Sequence, residues 1–193
     1  AYDELGRLTE QSINGITSTT AWDQAGRMSR ITTVLGAMDF QWDASSLRLS
    51  NIKYPNGQQT LFSYHSDLKD RLLKQITHLQ PAGSILSRFE YDYDAVRRIS
   101  DWAQEQAGAL PVAHHFEYDS SDQLIGAAVV QGATIVADYH HAYDGSQNPT
   151  NETINGISRS FTYNPVNDLL WVSENGGPTR TYEWDAEHRL VAI

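Results

Sequence analysis

Cysteine is absent from this chain, which excludes disulfides and thiolate metal sites and leaves the redox compartment open. Long apolar runs are absent too, so no stretch has the length that spans a bilayer as a helix. Positive charge is scarce and scattered: 14 Lys and Arg stand against 24 Asp and Glu, for a formal charge of −10. Nucleic acid and anionic membranes both demand clustered Lys and Arg, so neither is expected as a partner and no membrane insertion is expected. Methionine is rare, with two residues, whereas ten Tyr, five Trp and five Phe accompany abundant Thr, Ser and Gly. That mix leans towards β structure with many turns. Also missing are a Ser-His-Asp order, a phosphate-cradling glycine loop and a nucleophile elbow.

What the chain does contain is one short phrase written many times, first as Tyr2-Asp3-Glu4-Leu5-Gly6-Arg7-Leu8. An aromatic, an Asp, variable residues, a residue tolerant of positive φ, an Arg and an aliphatic read as a strand, a tight turn and a second strand. Tyr2 ends a half-buried strand, the Asp3 carboxylate accepts turn N–H groups, Gly6 takes the left-handed conformation and Leu8 returns to the buried face. With the aromatic as anchor, Tyr2, Trp22, Trp42, Tyr64, Tyr93, Tyr118, Tyr143, Tyr163 and Trp184 mark about nine copies, spaced about 20 to 29 residues apart. Upstream of most anchors lies a period-two pattern, such as Phe40 before Trp42 and Phe116 before Tyr118, with Gln41 and Glu117 between. Each copy therefore has an aromatic face and a wet face.

Downstream, an aliphatic lands about six residues on, as Leu8, Met28, Ile99, Leu124, Leu169 and Leu190. Two positions before it stand Gly6, Gly26, Asp122, Asn167 and His188, all types enriched at positive φ. The third copy carries one extra residue within Ser45-Ser46-Leu47-Arg48-Leu49, and the turn after Tyr64-His65 is about two residues longer. Pro149 occupies the aliphatic position of the seventh copy, which predicts an edge-like or bulged strand start. A second turn closes each unit at Asn14-Gly15, Gly36, Asn56-Gly57, Pro81-Ala82-Gly83, Gly108, Gly132, Asn155-Gly156 and Gly176-Gly177-Pro178. The longer fourth and fifth units predict loop excursions around 80–84 and 104–111, with 99–106 able to conceal a helical turn.

Three constellations invite chemistry. The motif carboxylates Asp3, Asp23, Asp43, Asp94, Asp119, Asp144 and Asp185 form a ladder, and paired carboxylates serve glycosidases and aspartyl proteases. Against this, each is expected to cap its own turn and meet the Arg four residues on, as Asp3 with Arg7, Asp23 with Arg27, Asp94 with Arg98 and Asp185 with Arg189. His114-His115 and His140-His141 suggest a metal, but neighbours on a strand point to opposite faces, and only His115 and His141 could approach across strands. Rows of aromatics are a carbohydrate platform if exposed and wall packing if not. An identical role in every unit marks a scaffold, so no catalytic residue, cofactor or metal ligand is assigned and no enzyme is expected.

These residues resemble the YD-repeat or RHS (rearrangement hotspot) family, whose signature reads roughly Tyr-x-Tyr-Asp-x-x-Gly-Arg-Leu. Tyr2 to Leu8, Trp22 to Met28, Phe89 to Ile99 and Tyr182 to Leu190 carry it most clearly, and it extends over essentially the whole chain. The repeat-signature positions are Tyr2, Asp3, Gly6, Arg7, Leu8, Trp22, Asp23, Gly26, Arg27, Trp42, Asp43, Tyr64, Tyr93, Asp94, Arg98, Tyr118, Asp119, Tyr143, Asp144, Tyr163, Trp184, Asp185 and Arg189. Members include bacterial polymorphic toxins, the C component of insecticidal toxin complexes and the teneurins. The resemblance implies a ribbon of β-hairpins spiralling into a hollow shell, here a single array over 1–193, secreted or at a bacterial cell surface. Implied partners are the rest of a parent RHS protein and an enclosed C-terminal domain. A cell-surface glycan- or protein-binding module is the alternative.

The expected fold class is all-β: serial antiparallel hairpins in one long, strongly curled sheet. About eighteen strands at roughly 4.8 Å would run about 85 Å, and open sheets beyond about ten strands tend to curl or split. Starting inside one copy and stopping after another, the chain is expected to be an excised piece whose sheet edges favour self-association.

Overall fold

The computed structural model describes residues 1–44, 46–177 and 179–193; Ser45 and Pro178, and the readings that fall on them, lie outside the described residues. Among the described residues the strands are β1 (Glu10–Ile13), β2 (Ile16–Trp22), β3 (Met28–Thr33), β4 (Gly36–Trp42), β5 (Leu49–Lys53), β6 (Gln59–Tyr64), β7 (Leu73–Leu79), β8 (Ile85–Tyr93) and β9 (Ile99–Gln106). They continue as β10 (Val112–Tyr118), β11 (Leu124–Gln131), β12 (Thr134–Tyr143), β13 (Pro149–Ile154), β14 (Ile157–Tyr163), β15 (Leu169–Glu174), β16 (Thr179–Thr181), β17 (Glu183–Trp184) and β18 (Leu190–Ala192). One 3₁₀ turn, Asp67–Lys69, is described, and no described helix is long and apolar enough to cross a membrane. Strands β1 to β16 form one sheet whose order is the sequence order, and β17 pairs with β18. Short turns dictate that order, because antiparallel neighbours need only a tight turn while parallel ones need a long crossover.

The chain divides into two compact units, one of 1–92 with 103–110 and the other of 93–102 with 111–193. In the first unit, directly opposed residues sort the faces. Phe40, Ile52, Thr60 and His78 follow one another across β4 to β7 on one side, as do Phe62, Ile76 and Phe89 across β6 to β8. The other side carries Gln41, Asn51, Leu61, Thr77 and Arg88. In the second unit Phe116, Ala127, Tyr139 and Ile154 share a face, opposite Glu117, Gly126, His140 and Thr153. The division into an aromatic and a wet face weakens here: Arg159 stands two residues before Phe161, and so joins its face together with Glu152 and Glu174.

No apolar side chain is fully buried among the described residues; the buried ones are Asn51, Thr60 and Thr77, on β5, β6 and β7. A sheet hides its apolar face only beneath a second layer.

Several local expectations change. Residues 99–106 are strand β9, and the long units put their extra residues into β8 and β9, nine and eight residues long, more than into loops. After Tyr64 the turn closes from the His65 N–H to the Leu72 carbonyl, three residues further than the Asp3-to-Arg7 closure, because the 3₁₀ turn is followed by Asp70 and Arg71 at positive φ. Pro149 does begin a bulged strand, with Thr150 unpaired opposite Tyr143, but β13 lies between β12 and β14, and the same bulge lies opposite Trp22, Trp42, Tyr64, Tyr118, Tyr163 and Trp184. The bulge belongs to the repeat rather than to proline. Gly36 opens β4 after a Val34-Leu35 turn, and the last far turn centres on Asn175-Gly176, both at positive φ, as in Asn14-Gly15 and Asn155-Gly156.

Candidate functional site

The signature residues gather at one end of the hairpins, where each anchor strand turns into its partner. In the first copy the Asp3 N–H donates to the Arg7 carbonyl and the Gly6 N–H to the Asp3 carbonyl. Asp3 Oδ1 accepts from the N–H groups of Leu5 (3.0 Å) and Arg7 (2.9 Å), while Oδ2 accepts from Arg7 Nε at 2.7 Å. Asp23 repeats this with Ala25 and Arg27, Asp94 with Val96 and Arg98, and Asp185 with Glu187 and Arg189. Asp119 and Asp144 cap their turns in the same way, and Asn148 Nδ2 takes the Arg position towards Asp144. Asp43 differs, pairing with Arg71.

At Asp3, Asp23, Asp94, Asp144 and Asp185 these bonds favour the charged carboxylate. The backbone N–H of Arg27, then its side chain, keeps Asp23 below the usual carboxylate range; the Arg7 and Arg189 N–H groups lead for Asp3 and Asp185. For Asp144 the Asn148 amide leads. At Asp94 desolvation pushes upward and is outweighed by the Arg98 and Val96 bonds.

The Arg of the turn also reaches the next repeat. Arg7 lies over the Trp22 ring with Cζ 5.4 Å from its centroid, Arg27 over Trp42 at 5.5 Å, Arg48 over Tyr64 at 5.7 Å and Arg98 over Tyr118 at 4.6 Å. The ring in turn donates backwards to the carbonyl of the aliphatic. Trp22 Nε1 donates to Leu8 at 3.0 Å, Trp42 Nε1 to Met28 at 2.8 Å, Tyr64 to Leu49, Tyr118 to Ile99, Tyr143 to Leu124 and Trp184 to Leu169. Asp, Arg, ring and carbonyl form a clasp between consecutive repeats. Beneath Trp42 the Arg27 side chain is 13% exposed, whereas Arg189, with no ring over it, is 72% exposed. Tyr163 ends β14 without such a bond, Tyr93 ends β8, and Tyr2 bridges to Leu8 at an exposed position.

Gly6, Gly26, Asp122, Asn167 and His188 all have positive φ, between 60° and 78°. Arg97 and Gln147 adopt the same conformation at the equivalent positions, which their residue types do not announce. The eighth copy was missed as a carboxylate turn because its roles are exchanged: Asn164 Oδ1 caps the turn, and Asn164 Nδ2 donates to Asp168 Oδ2 at 2.9 Å. His188 bonds the same carboxylate from the next turn at 3.0 Å. The link from aliphatic carbonyl to next ring had a signal in sequence, the 14-residue step from Leu8 to Trp22 and from Met28 to Trp42.

The histidines do not converge. His115 Nδ1 meets Asp101 at 2.5 Å, His140 meets Asp138 at 3.0 Å, and His114 stacks between Trp102 and Phe116. His141 lies opposite Glu152, on the next pair of strands. Among the described residues no three His, Cys, Asp or Glu side chains gather as a metal site.

Residues 2–38 match the family model RHS Repeat. Over 98% of its length the chain is similar in fold to the crystal structures of TcdB2-TccC3, with a TM-score of 0.64, and of TcdB2-TccC3-Cdc42, with 0.63, at 15% identity in both cases. It spans 13% of the length of either chain. No curated protein sequence matches it.

Proposed function

We propose that this array of hairpin repeats, of which residues 2–38 match the RHS Repeat model, is a structural segment of a shell wall in a larger secreted or extracellular protein, and that the wall encloses a C-terminal toxin or cargo domain. The observation that carries the reading is the clasp, in which the signature Asp, Arg and aromatic groups spend their bonding capacity on their own turn and the next repeat. A glycosidase or aspartyl-protease carboxylate works with a partner carboxylate and needs access to substrate. Asp23 instead has its two oxygens taken up by two backbone N–H groups and one guanidinium. The reading therefore assigns this chain no chemistry and no cofactor.

The test is protease protection of the parent protein. Its C-terminal domain should resist added protease at concentrations that digest the same domain expressed alone, and should become sensitive when Arg27→Ala and Arg98→Ala loosen the clasps. Equal digestion of the enclosed and free domains would overturn the enclosure. Turnover on a glycoside or peptide substrate that is lost with Asp23→Asn would overturn the non-enzymatic reading.

A further inference from the structure

In the first unit, the far-end turns of the hairpins around β3–β4, β5–β6 and β7–β8 surround a cavity of about 610 Å³. That volume lies within the range of small-molecule sites. Ile31, Met38, Leu79 and Leu86 supply its apolar lining. No Asp, Glu, Lys or Arg lines it, although the chain carries 24 acidic and 14 basic residues. An ion entering such a site would lose hydration and meet no Asp, Glu, Lys or Arg of opposite sign among the described residues.

Of the polar side chains on the lining, Thr33 accepts from the Leu35 N–H, Asn56 Nδ2 donates to Gln58 and Gln59 accepts from Asn51, while the remaining three form one chain of their own. Tyr54 Oη lies 3.2 Å from Thr60 Oγ1, which lies 3.0 Å from His78 Nδ1, and Thr60 is only 3% exposed. All three residues line the cavity. With neutral His78 protonated on Nε2, the chain runs Tyr54 to Thr60 to His78, and the Tyr54 oxygen can still accept. With the proton on Nδ1 the chain reverses, and Tyr54 can still donate. Among the described residues the Tyr54 hydroxyl has no other hydrogen bond. An alcohol, being donor and acceptor at once, matches either polarity.

We propose that this cavity is a binding site for an uncharged ligand with a ring-sized apolar body and one hydroxyl group. The body lies against the aliphatic wall and the hydroxyl meets Tyr54. The site goes beyond the wall reading and stands or falls apart from it, because its test involves neither enclosure nor cargo.

The test is titration of the ¹⁵N-labelled chain with 2-naphthol at neutral pH. Saturable, single-site shifts are expected at the amides of Gly36, Gln58 and Leu79. Tyr54→Phe should weaken binding about five-fold, the value of one hydrogen bond, with the other amide shifts unchanged. Leu86→Glu, at a position 42% exposed, should abolish binding without disturbing the strands. The charged analogue 2-naphthoate, with a carboxylate in place of the hydroxyl, should bind at least about ten-fold more weakly. Shifts that fail to saturate or spread over the remaining aromatic face, naphthoate binding as well as naphthol, or a Tyr54→Phe variant of unchanged affinity would each overturn the site.

Discussion

The two ends of the hairpins solve one problem by different means. At the signature end the same backbone closure recurs, from Asp3 to Arg7, Asp23 to Arg27, Asp94 to Arg98, Asp119 to Gln123, Asp144 to Asn148, Asn164 to Asp168 and Asp185 to Arg189. Side-chain hydrogen bonds fasten it. At the signature end only Asp43 to Arg48 and His65 to Leu72 are longer among the described closures; at the far end Asn14-Gly15 and Asn155-Gly156 turn in two residues, while Tyr54 to Gln58 and Gln80 to Ser84 reuse the three-residue closure without a capping Asp. There the requirement falls on backbone conformation and close approach, and few side chains are prescribed. The contrast explains where variation collects. Chemistry repeats where an Arg must reach the next ring, and strand length and the cavity vary where only a turn is needed.

Breaking the far end should give the largest effect. Gly36 has φ of +114°, and a Cβ there would sit 2.7 Å from Pro55 Cβ, whereas a Cβ on Gly6, at φ of +75°, would meet nothing within 4 Å. Gly36→Ala should therefore cost about 2–4 kcal/mol from strain and overpacking together. Gly6→Ala should cost about 1–2 kcal/mol from conformation alone. Urea midpoints of the two variants rank them, and equal midpoints would remove the distinction between the ends.

At the signature end, Trp42→Phe keeps a ring but leaves the Met28 carbonyl without its donor, at a cost of about 1 kcal/mol. A cycle of Arg27→Ala with Trp42→Ala, which removes the ring, should show coupling of about 0.5–1 kcal/mol, since the guanidinium lies over that ring.

Acid should dissolve the signature end selectively. Asp3, Asp23, Asp94, Asp144 and Asp185 have carboxyls below their ordinary range. Their contribution is thus complete above the unfolded value of about 3.9 and is lost as pH falls through the folded values. Thermal midpoints should fall steeply below about pH 4, after a smaller decline between about pH 7 and pH 5 because burial, then His115, holds His114 below the usual imidazole range. Asp23→Asn should lower the midpoint at neutral pH and converge with the parent chain at the acid extreme. A flat acid limb in the parent chain would show that these carboxylates do not fasten the turns.

The fold was legible because its determinants are local. An anchor, a capping carboxylate and a residue of positive φ define a hairpin within about seven positions, and antiparallel order follows from the turns. The Asp–Arg pairs were legible for the same reason. What escaped depends on the neighbouring repeat or on geometry shared by different side chains. Arg27 gives no sequence sign of lying over Trp42, and Asn164 hides its capping role because amide and carboxylate exchanged places. Gln147 at φ of +69° shows backbone geometry imposed on a residue whose type does not favour it. The bulge at each anchor adds no distinctive residue, only an offset in pairing that appears once both strands are placed.

Strands that neighbour each other in sequence also neighbour each other in the sheet, from β1 to β16. Tension between the termini would then meet the hydrogen-bond rows end-on and peel them one bond at a time, rather than shearing many at once. Such an array yields at low force and lengthens in small steps, each a hairpin long, and a clasp at the base of the hairpin sets the height of each step.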